Sequence, residues 1–308
     1  MGFWKVLKGL SAAVVVAAAA FGAWYWFKSR PPQIPPPESR TLFRGIHYER
    51  TVLNRPRPLV VHTLHIDLKQ PGIGFLVTPP DNDGKLPLKA RKTSEFLEGH
   101  QAQLAINGDF FEPWHSRFIW DYYPHVGDPV QVLGMAVSQG KTYAPGNERC
   151  PVLAFDEQNQ ARIFHTPADL HKTWPQKRIF NAISGHRLLV RNGRSLTPHE
   201  WYKDHAHLHP RTALGLDKER RKLIIIVVDG RQPGYSEGVS FQELANLMLK
   251  AGAHTAMNMD GGGSTTLVMQ GEDGKADILN SPIDNRIPGR ERPVANHLAV
   301  FAQEKTDG

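Results

Sequence analysis

The chain of 308 residues holds one cysteine, Cys150. A lone thiol closes no internal disulfide and builds no cysteine metal knot. Cys150 therefore reads as a small buried apolar residue. No run of Lys and Arg with interleaved aromatics occurs, and no zinc-finger or helix-turn-helix spacing. Nucleic acid is not an expected partner. The sequence also lacks an internal repeat, and only one proline-rich stretch is of low complexity. What remains is ordinary for a globular core: 40% hydrophobic and 22% charged residues. The net charge of +7 leans toward anionic partners such as phosphate groups, acidic glycans or a membrane surface.

From Leu10 to Phe27 the chain carries no charge for 18 residues. As a helix that run is roughly 27 Å long, close to the thickness of a bilayer core. Trp24, Tyr25 and Trp26 stand at its far end, where an interfacial aromatic belt would lie, and Lys28 and Arg30 follow. Residues 1–30 are expected to be a transmembrane anchor crossing the membrane through residues 10–27. The alternative is a signal peptide cleaved near Ala17 to Ala20. Either places the bulk of the chain outside the cytoplasm, in the periplasm or at the cell surface. Residues 31–39 are proline-rich and form a stiff, extended linker. The folded domain is expected over residues 40–303.

That domain reads as many short strands and few helices. Leu59–Asp67, Gly74–Val77, Gln103–Ile106, Val132–Val137, Val152–Phe155, Arg211–Leu216 and Asn296–Phe301 are strand-like. Asn192-Gly193 signals a hairpin turn. Pro113 to Val130 fits no period and reads as a long loop. Its aromatic, polar-tipped side chains suit sugar stacking or an active-site lid. His205, His207 and His209 alternate and would share one face of a strand. No carboxylate at ligand spacing accompanies them, so no metal ligand is assigned; a zinc site there remains an alternative.

Leu223 to Val228 is a continuous branched apolar run, the mark of a central buried strand. It ends at Asp229-Gly230-Arg231. Ser240 and Glu243 form a capping box. Phe241, Leu244, Leu247, Met248 and Ala251 then make one apolar stripe, which Gly252 ends. The chain next enters Asn258-Met259-Asp260-Gly261-Gly262-Gly263-Ser264. Strand, helix and strand together read as a βαβ-like unit. With its strands as parallel neighbours, Asp229 and Asp260 would open onto one crevice. The fold class expected is α+β: mixed β-sheets with few helices in a single catalytic domain. Consecutive glycines weaken a fold through backbone entropy and are justified where backbone comes close to something else.

Asn107-Gly108-Asp109-Phe110-Phe111, Arg211-Thr212-Ala213-Leu214-Gly215, Asp229-Gly230-Arg231 and the Asn258–Ser264 stretch resemble, in order and spacing, the phosphodiester glycosidase family. The resemblance covers roughly residues 100–302 and includes Arg292 and Asn296 near its end. Bacterial members are associated with exopolysaccharide biosynthesis. Two positions depart from the family pattern: Asp109 follows Gly108, and His186-Arg187 follow Gly185.

The resemblance implies hydrolysis of the glycosidic bond of a sugar-1-phosphodiester or a related envelope glycan. Glycosidases use two carboxylates around an oxocarbenium-like state. Phosphate is already a good leaving group, and cations can take up its charge. The expected catalytic groups are Asp260 at the centre with Asp109 or Asp229 as the second carboxylate. Arg211 and Arg231 would hold phosphate, since the guanidinium fork matches its oxygens. Asn107, Asn258 and the backbone of Gly261, Gly262 and Gly263 would bind ligand oxygens, and Ser264 would orient Asp260. No cofactor is named. The competing readings are a non-catalytic envelope glycan-binding protein and a phosphodiesterase with a metal on its histidines.

Overall fold

The branched apolar run is the middle of the molecule. The computed structural model describes residues 3–81, 84–118, 121–147, 149–196 and 207–304, and in it the strand Lys222–Val228 is buried on both faces. Leu223, Ile225 and Val227 point into the largest apolar cluster, and Ile224, Ile226 and Val228 into a second one behind the sheet. A strand between two cores has no polar face to alternate with, which is why its sequence is unbroken hydrocarbon. It sits in an eight-stranded sheet whose order is 38–43, 46–53, 59–67, 222–228, 211–216, 255–258, 187–191 and 194–195. Every neighbouring pair is antiparallel.

The second cluster is closed by the helix Phe241–Lys250, through Phe241, Leu244, Ala245 and Met248. Its start is fixed as the sequence implies: Ser240 Oγ accepts from Glu243 N at 3.2 Å, and Glu243 Oε2 accepts from Ser240 N at 2.9 Å. Arg57 adds a hydrogen bond to Glu243 at 2.6 Å, tying the helix start to the sheet edge.

Opposite lies a five-stranded antiparallel sheet built on Leu104–Asn107, between Leu267–Gln270 and His297–Phe301. Leu104, Ile106, Leu267, Leu298 and Val300 face the central strand across the main core. Ala105, Val268 and Ala299 face outward, under the helix Thr93–His100. A further five-stranded sheet, with Asn181–Ser184 at its centre beside Val152–Phe155, closes one side of the core through Leu153, Phe155 and Ile183. Among the described residues the domain is thus α+β, mostly β, with helices on the outer faces of a sandwich.

The βαβ expectation is corrected in one respect. Strands 222–228 and 255–258 are not neighbours: Arg211–Leu216 runs between them, antiparallel to both. Arg211 pairs with Val228, and Ala213 with Asn258. The ends leading to Asp229 and Asp260, and the start at Arg211, therefore share one sheet edge even without parallel neighbours.

Two further differences are local. Residues 113–130 contain a hairpin, His115–Phe118 with Asp121–Tyr123, where a bare loop was expected. It is held by ring pairs invisible to periodicity: Trp114 on Tyr122 at 5.7 Å and His115 on Tyr123 at 5.0 Å. The expected strand 132–137 is broken at Leu133-Gly134 into Pro129–Val132 and Met135–Ser138. A Cβ at Gly134 would lie 2.2 Å from Ser184 Cβ and 2.3 Å from Asp109 Oδ2. The backbone is drawn in there to meet Asp109. The Asn192-Gly193 turn is as expected, with φ of 54° and 69°, the pair of positive values a type I′ hairpin needs.

Strand structure begins at Glu38, and Arg50 Nε donates to Pro36 O at 2.9 Å, fastening the proline linker to the domain. The helix Phe3–Lys28 precedes it. Among the described residues no helix is long and apolar enough to cross a membrane, so the expected anchor has no support from the structure. Val14, Val15, Val16, Trp24 and Trp26 of this helix are exposed, so the apolar run is not buried against the domain.

Candidate active site

The glycine turn carries the chain from one sheet of the sandwich to the other. It leaves the eight-stranded sheet at Asn258, makes a short helical turn at Gly262–Ser264 and joins the five-stranded sheet at Leu267. Asp260 stands at its start, partly exposed, while Asn258, Ser264, Thr265 and Thr266 are fully buried.

Each glycine is explained by a neighbour. A Cβ at Gly261 would come 2.9 Å from Pro210 O. One at Gly262, whose φ is +65°, would come 3.0 Å from both terminal nitrogens of Arg231. One at Gly263 would come 2.4 Å from Nη2 of Arg292. The bare backbone thus lets two guanidinium groups lie directly on the turn beside Asp260. The amides are less available than expected: Gly261 N donates to Asp260 Oδ1 at 2.8 Å and Gly262 N to Pro210 O at 2.9 Å.

Burial pushes the Asp260 carboxyl above its usual range. The Ser264 hydroxyl, Arg292, the Gly261 N–H and Arg231 all oppose that shift. Arg231 has its own pKa lowered, by burial first and then by Arg292 and Arg286, with Asp260 opposing. These cations are crowded and only partly neutralised. Arg231 rests on His209, with Nη2 3.1 Å from Nδ1. Arg292 donates from Nε to Asp284 at 2.9 Å and from Nη1 to Ser264 Oγ at 3.4 Å, and it lies 5.3 Å from the Trp114 ring. Arg211 is buried, its guanidinium 3.8 Å over the Phe241 ring.

Asp109 is the carboxylate brought to Asp260. Gly108 O accepts from Asp260 N at 3.1 Å, locking the two loops together. Asp109 is 2% exposed; its oxygens accept from Phe110 N and Gly134 N, both at 2.7 Å. Burial raises its pKa well above the ordinary range, and the charge of Asp260 adds to the rise. One carboxylate inclined to keep its proton thus stands near another that faces the cations. Asp229 is placed differently. It is fully buried and accepts from His62 Nε2, Tyr235 OH, Asn280 Nδ2 and Ser281 N at 3.3, 2.9, 3.0 and 2.9 Å. Tyr48 extends the chain, its OH 2.8 Å from His62 Nδ1. With four donors on it, Asp229 is the hub of an internal network and offers no open lone pair to a substrate.

The two asparagines are internal as well. Asn107 Nδ2 donates to Asp260 O at 2.8 Å, and its Oδ1 accepts from Thr212 Oγ1 at 2.8 Å and Thr266 N at 3.2 Å. Asn258 is fully buried and donates to Met259 O at 2.6 Å. Both clasp the turn from within.

His186 and Arg292 were not among the expected site residues. His186 N donates to Asn258 O at 2.8 Å, and its ring meets Phe110 at 4.8 Å. Burial, with Arg187 and Arg211 adding, pushes its pKa down to about 4, so the ring is neutral at neutral pH. Its position after Gly185, in a segment already set apart by its departure from the family pattern, was the usable signal. For Arg292 the signal was a basic loop near the chain end, which sequence spacing alone did not join to Asp260. Of the three alternating histidines, His205 lies outside the described residues, and the His207 and His209 rings stack 6.1 Å apart. Among the described residues no group of three His, Cys, Asp or Glu side chains is placed to hold a metal.

The chain is similar to several known proteins. A Bacillus subtilis relative, SPbeta prophage-derived uncharacterized protein YomE, is 33% identical over 100 residues, 32% of this chain and 14% of that protein. The chain thus spans a small part of that relative's length. Three solved structures share the fold. A hypothetical protein from Synechocystis superposes with a TM-score of 0.63 at 17% identity, covering 88% of this chain and 64% of that one. The zebrafish N-acetylglucosamine-1-phosphodiester alpha-N-acetylglucosaminidase catalytic domain, auto-inhibited by its pro-peptide, gives 0.58 at 21% identity over 90% and 86%. A putative exported protein from Burkholderia pseudomallei gives 0.58 at 16% identity over 79% and 74%. The phosphodiester glycosidase family model matches residues 100–301, two thirds of the chain and every element around Asp260: the chain belongs to the phosphodiester glycosidase family.

Proposed function

We propose that this protein hydrolyses the bond between an anomeric carbon and phosphate in a sugar-1-phosphodiester of a cell-envelope glycan. The observation that carries the reading is the pair Arg231 and Arg292, laid on Gly262 and Gly263 beside Asp260. Arg292 is paired with Asp284, but Arg231 rests on a histidine and feels Arg286 as well as Arg292, so the place beside Asp260 favours a further anion, and a phosphodiester with a reacting sugar supplies it.

In this reading the phosphate sits on Arg231 and Arg292, which take up charge as the anomeric C–O bond breaks. Asp260 faces the anomeric carbon and acts on it directly or through a water. Burial and the charge of Asp260 both raise the pKa of Asp109, which disfavours ionisation of the two acids together in one desolvated place. Neutral His186 on Phe110 and the exposed Trp114 are suited to the sugar ring and its hydroxyls. Arg211, on Phe241, supports the turn from behind. An extracytoplasmic place of action is part of the proposal and rests on the uncharged run before the proline linker.

The test is a screen of the purified chain against sugar-1-phosphodiesters, with Asp260→Asn as control. Release of free sugar by the parent and its loss in the variant support the reading. Oxygen-18 from water should enter the sugar; its appearance in the phosphate would mean phosphodiesterase chemistry and overturn the assignment.

A further inference from the structure

A second cleft lies at the other end of the same strands. It encloses about 530 Å³ between the strand Ala161–Phe164, the helix Pro167–Thr173, the Asn192 turn and the turn after Leu216. Leu216 and Thr255, which line it, pair with each other at the opposite ends of strands whose other ends carry Arg211 and Asn258. Strand rise puts the two sites about 17 Å apart or more.

The cleft is strongly basic. Arg162, Lys172, Arg191, Lys218 and Arg220 line it against the carboxylates of Asp169 and Asp217. Asp217 is already engaged, since its Oδ1 accepts from Arg221 N at 2.7 Å and Lys222 N at 2.9 Å. Among the described residues, none of the five cations makes an ion pair. Five like charges gathered around one concavity repel each other; Arg162 lies 5.4 Å over the Phe164 ring, and no carboxylate pairs with any of the five among the described residues. Nothing in the proposed chemistry uses them. Between the cations lie Thr173, Asn192 and His254, groups that hydrogen-bond hydroxyls. The only aromatic carbocycle in the lining, Phe164, is buried, so the stacking surface that single-stranded nucleic acid uses is missing.

We propose that this cleft is a non-catalytic binding site for an anionic glycan chain, and that the molecule cut at Asp260 is a polymer of phosphate-bearing sugars that reaches both sites. The identity of the polymer as substrate rests on the function proposed above; the binding site itself does not. Holding a distant part of the chain raises the local concentration of phosphodiesters at the active edge. It lowers KM for polymer and leaves a one-unit phosphodiester unaffected.

The experiment uses the full chain and a variant with Lys172→Gln, Arg191→Gln and Lys218→Gln, all exposed positions. Binding of a poly(sugar 1-phosphate) is measured by calorimetry in the Asp260→Asn background, so that turnover does not interfere. Loss of three cation contacts should weaken polymer binding roughly tenfold and flatten its salt dependence. With Asp260 intact, hydrolysis of a one-unit sugar phosphodiester should be unchanged, and KM for polymer should rise with kcat constant. Equal polymer affinity in parent and variant overturns the proposal. So does tighter, cleft-dependent binding of a single-stranded oligonucleotide of equal charge, which would make this a nucleic-acid site. If neither substrate is hydrolysed while polymer binding still depends on the cleft, the catalytic reading fails and the binding site stands.

Discussion

A Cβ on Gly263 would stand 2.4 Å from Nη2 of Arg292. The turn is glycine here so that the cation can lie against its backbone, 3.4 Å from Ser264 Oγ. Gly263→Ala should push the guanidinium aside without unfolding the chain, because the displaced group is the end of a flexible side chain. The expected result is a KM about tenfold higher for a sugar phosphodiester, with a melting temperature within about 2 °C of the parent. Michaelis kinetics and a thermal melt on the same sample check both.

Asp260→Asn keeps the shape of the side chain and removes its charge. Activity on a sugar-1-phosphodiester should fall by at least about a hundredfold, the scale of losing a positioned base or nucleophile. Folding should be retained, since a partly exposed carboxylate inclined toward protonation is not a source of stability at neutral pH. Full activity in this variant would remove Asp260 from the mechanism.

The cations set the pH at which Asp260 works. Arg292 and Arg231 both hold its pKa down against burial. The reacting form is the carboxylate, so kcat/KM rises with pH through the pKa of Asp260. Arg292→Gln removes one opposing charge, the pKa climbs, and the acid limb should move to higher pH. A pH–rate profile of the two proteins decides it: an unshifted limb would mean Arg292 does not face the carboxylate proposed to react.

Asp109 has the opposite consequence for stability. Its pKa is raised in the fold, so in the window above the ordinary value of 3.8 the folded chain holds a proton that the unfolded chain has lost. Its contribution is fully present below that value and is lost as pH rises through the folded pKa. The melting temperature of the parent minus that of Asp109→Asn should therefore shrink steadily from pH 4 upward. A flat difference would show an unshifted carboxyl.

For Asp229 the expectation is structural. Four donors converge on it with no solvent. Asp229→Asn brings an NH₂ against them and should cost about 3 kcal/mol. Denaturant unfolding measures this. The fraction that remains folded should keep most of its activity, whereas a catalytic Asp229 would lose activity at unchanged stability.

Much of the frame was legible because it follows from local rules. The run Leu223 to Val228 reads as a two-sided buried strand, and Ser240 with Glu243 reads as a helix start, and both are found. The shared edge of Arg211, Asp229 and Asp260 was reached through a wrong topology: periodicity says that a segment is a strand but not which strand pairs with it. The site was legible by residue type and less so by role. Asn107, Asn258 and Asp229 are polar residues beside a glycine turn, and so is Asp260. Only burial and the count of donors separate the clasps and hubs from the open carboxylate. Arg292 was missed because its nearness to Gly263 is created by folding across 29 residues of chain, 263 to 292, and leaves no trace in spacing.

Asn107 deserves a last consequence. Its one side chain holds the carbonyl of Asp260, the hydroxyl of Thr212 in one sheet and the amide of Thr266 at the entry to the other. The carboxylate of Asp260 is therefore hung from the seam of the sandwich. Any slackening between the sheets, even one that leaves every strand paired, moves Asp260 relative to its cations. On heating, the proposed turnover should fade before the β-sheet signal does, so that activity would report the tightness of the core.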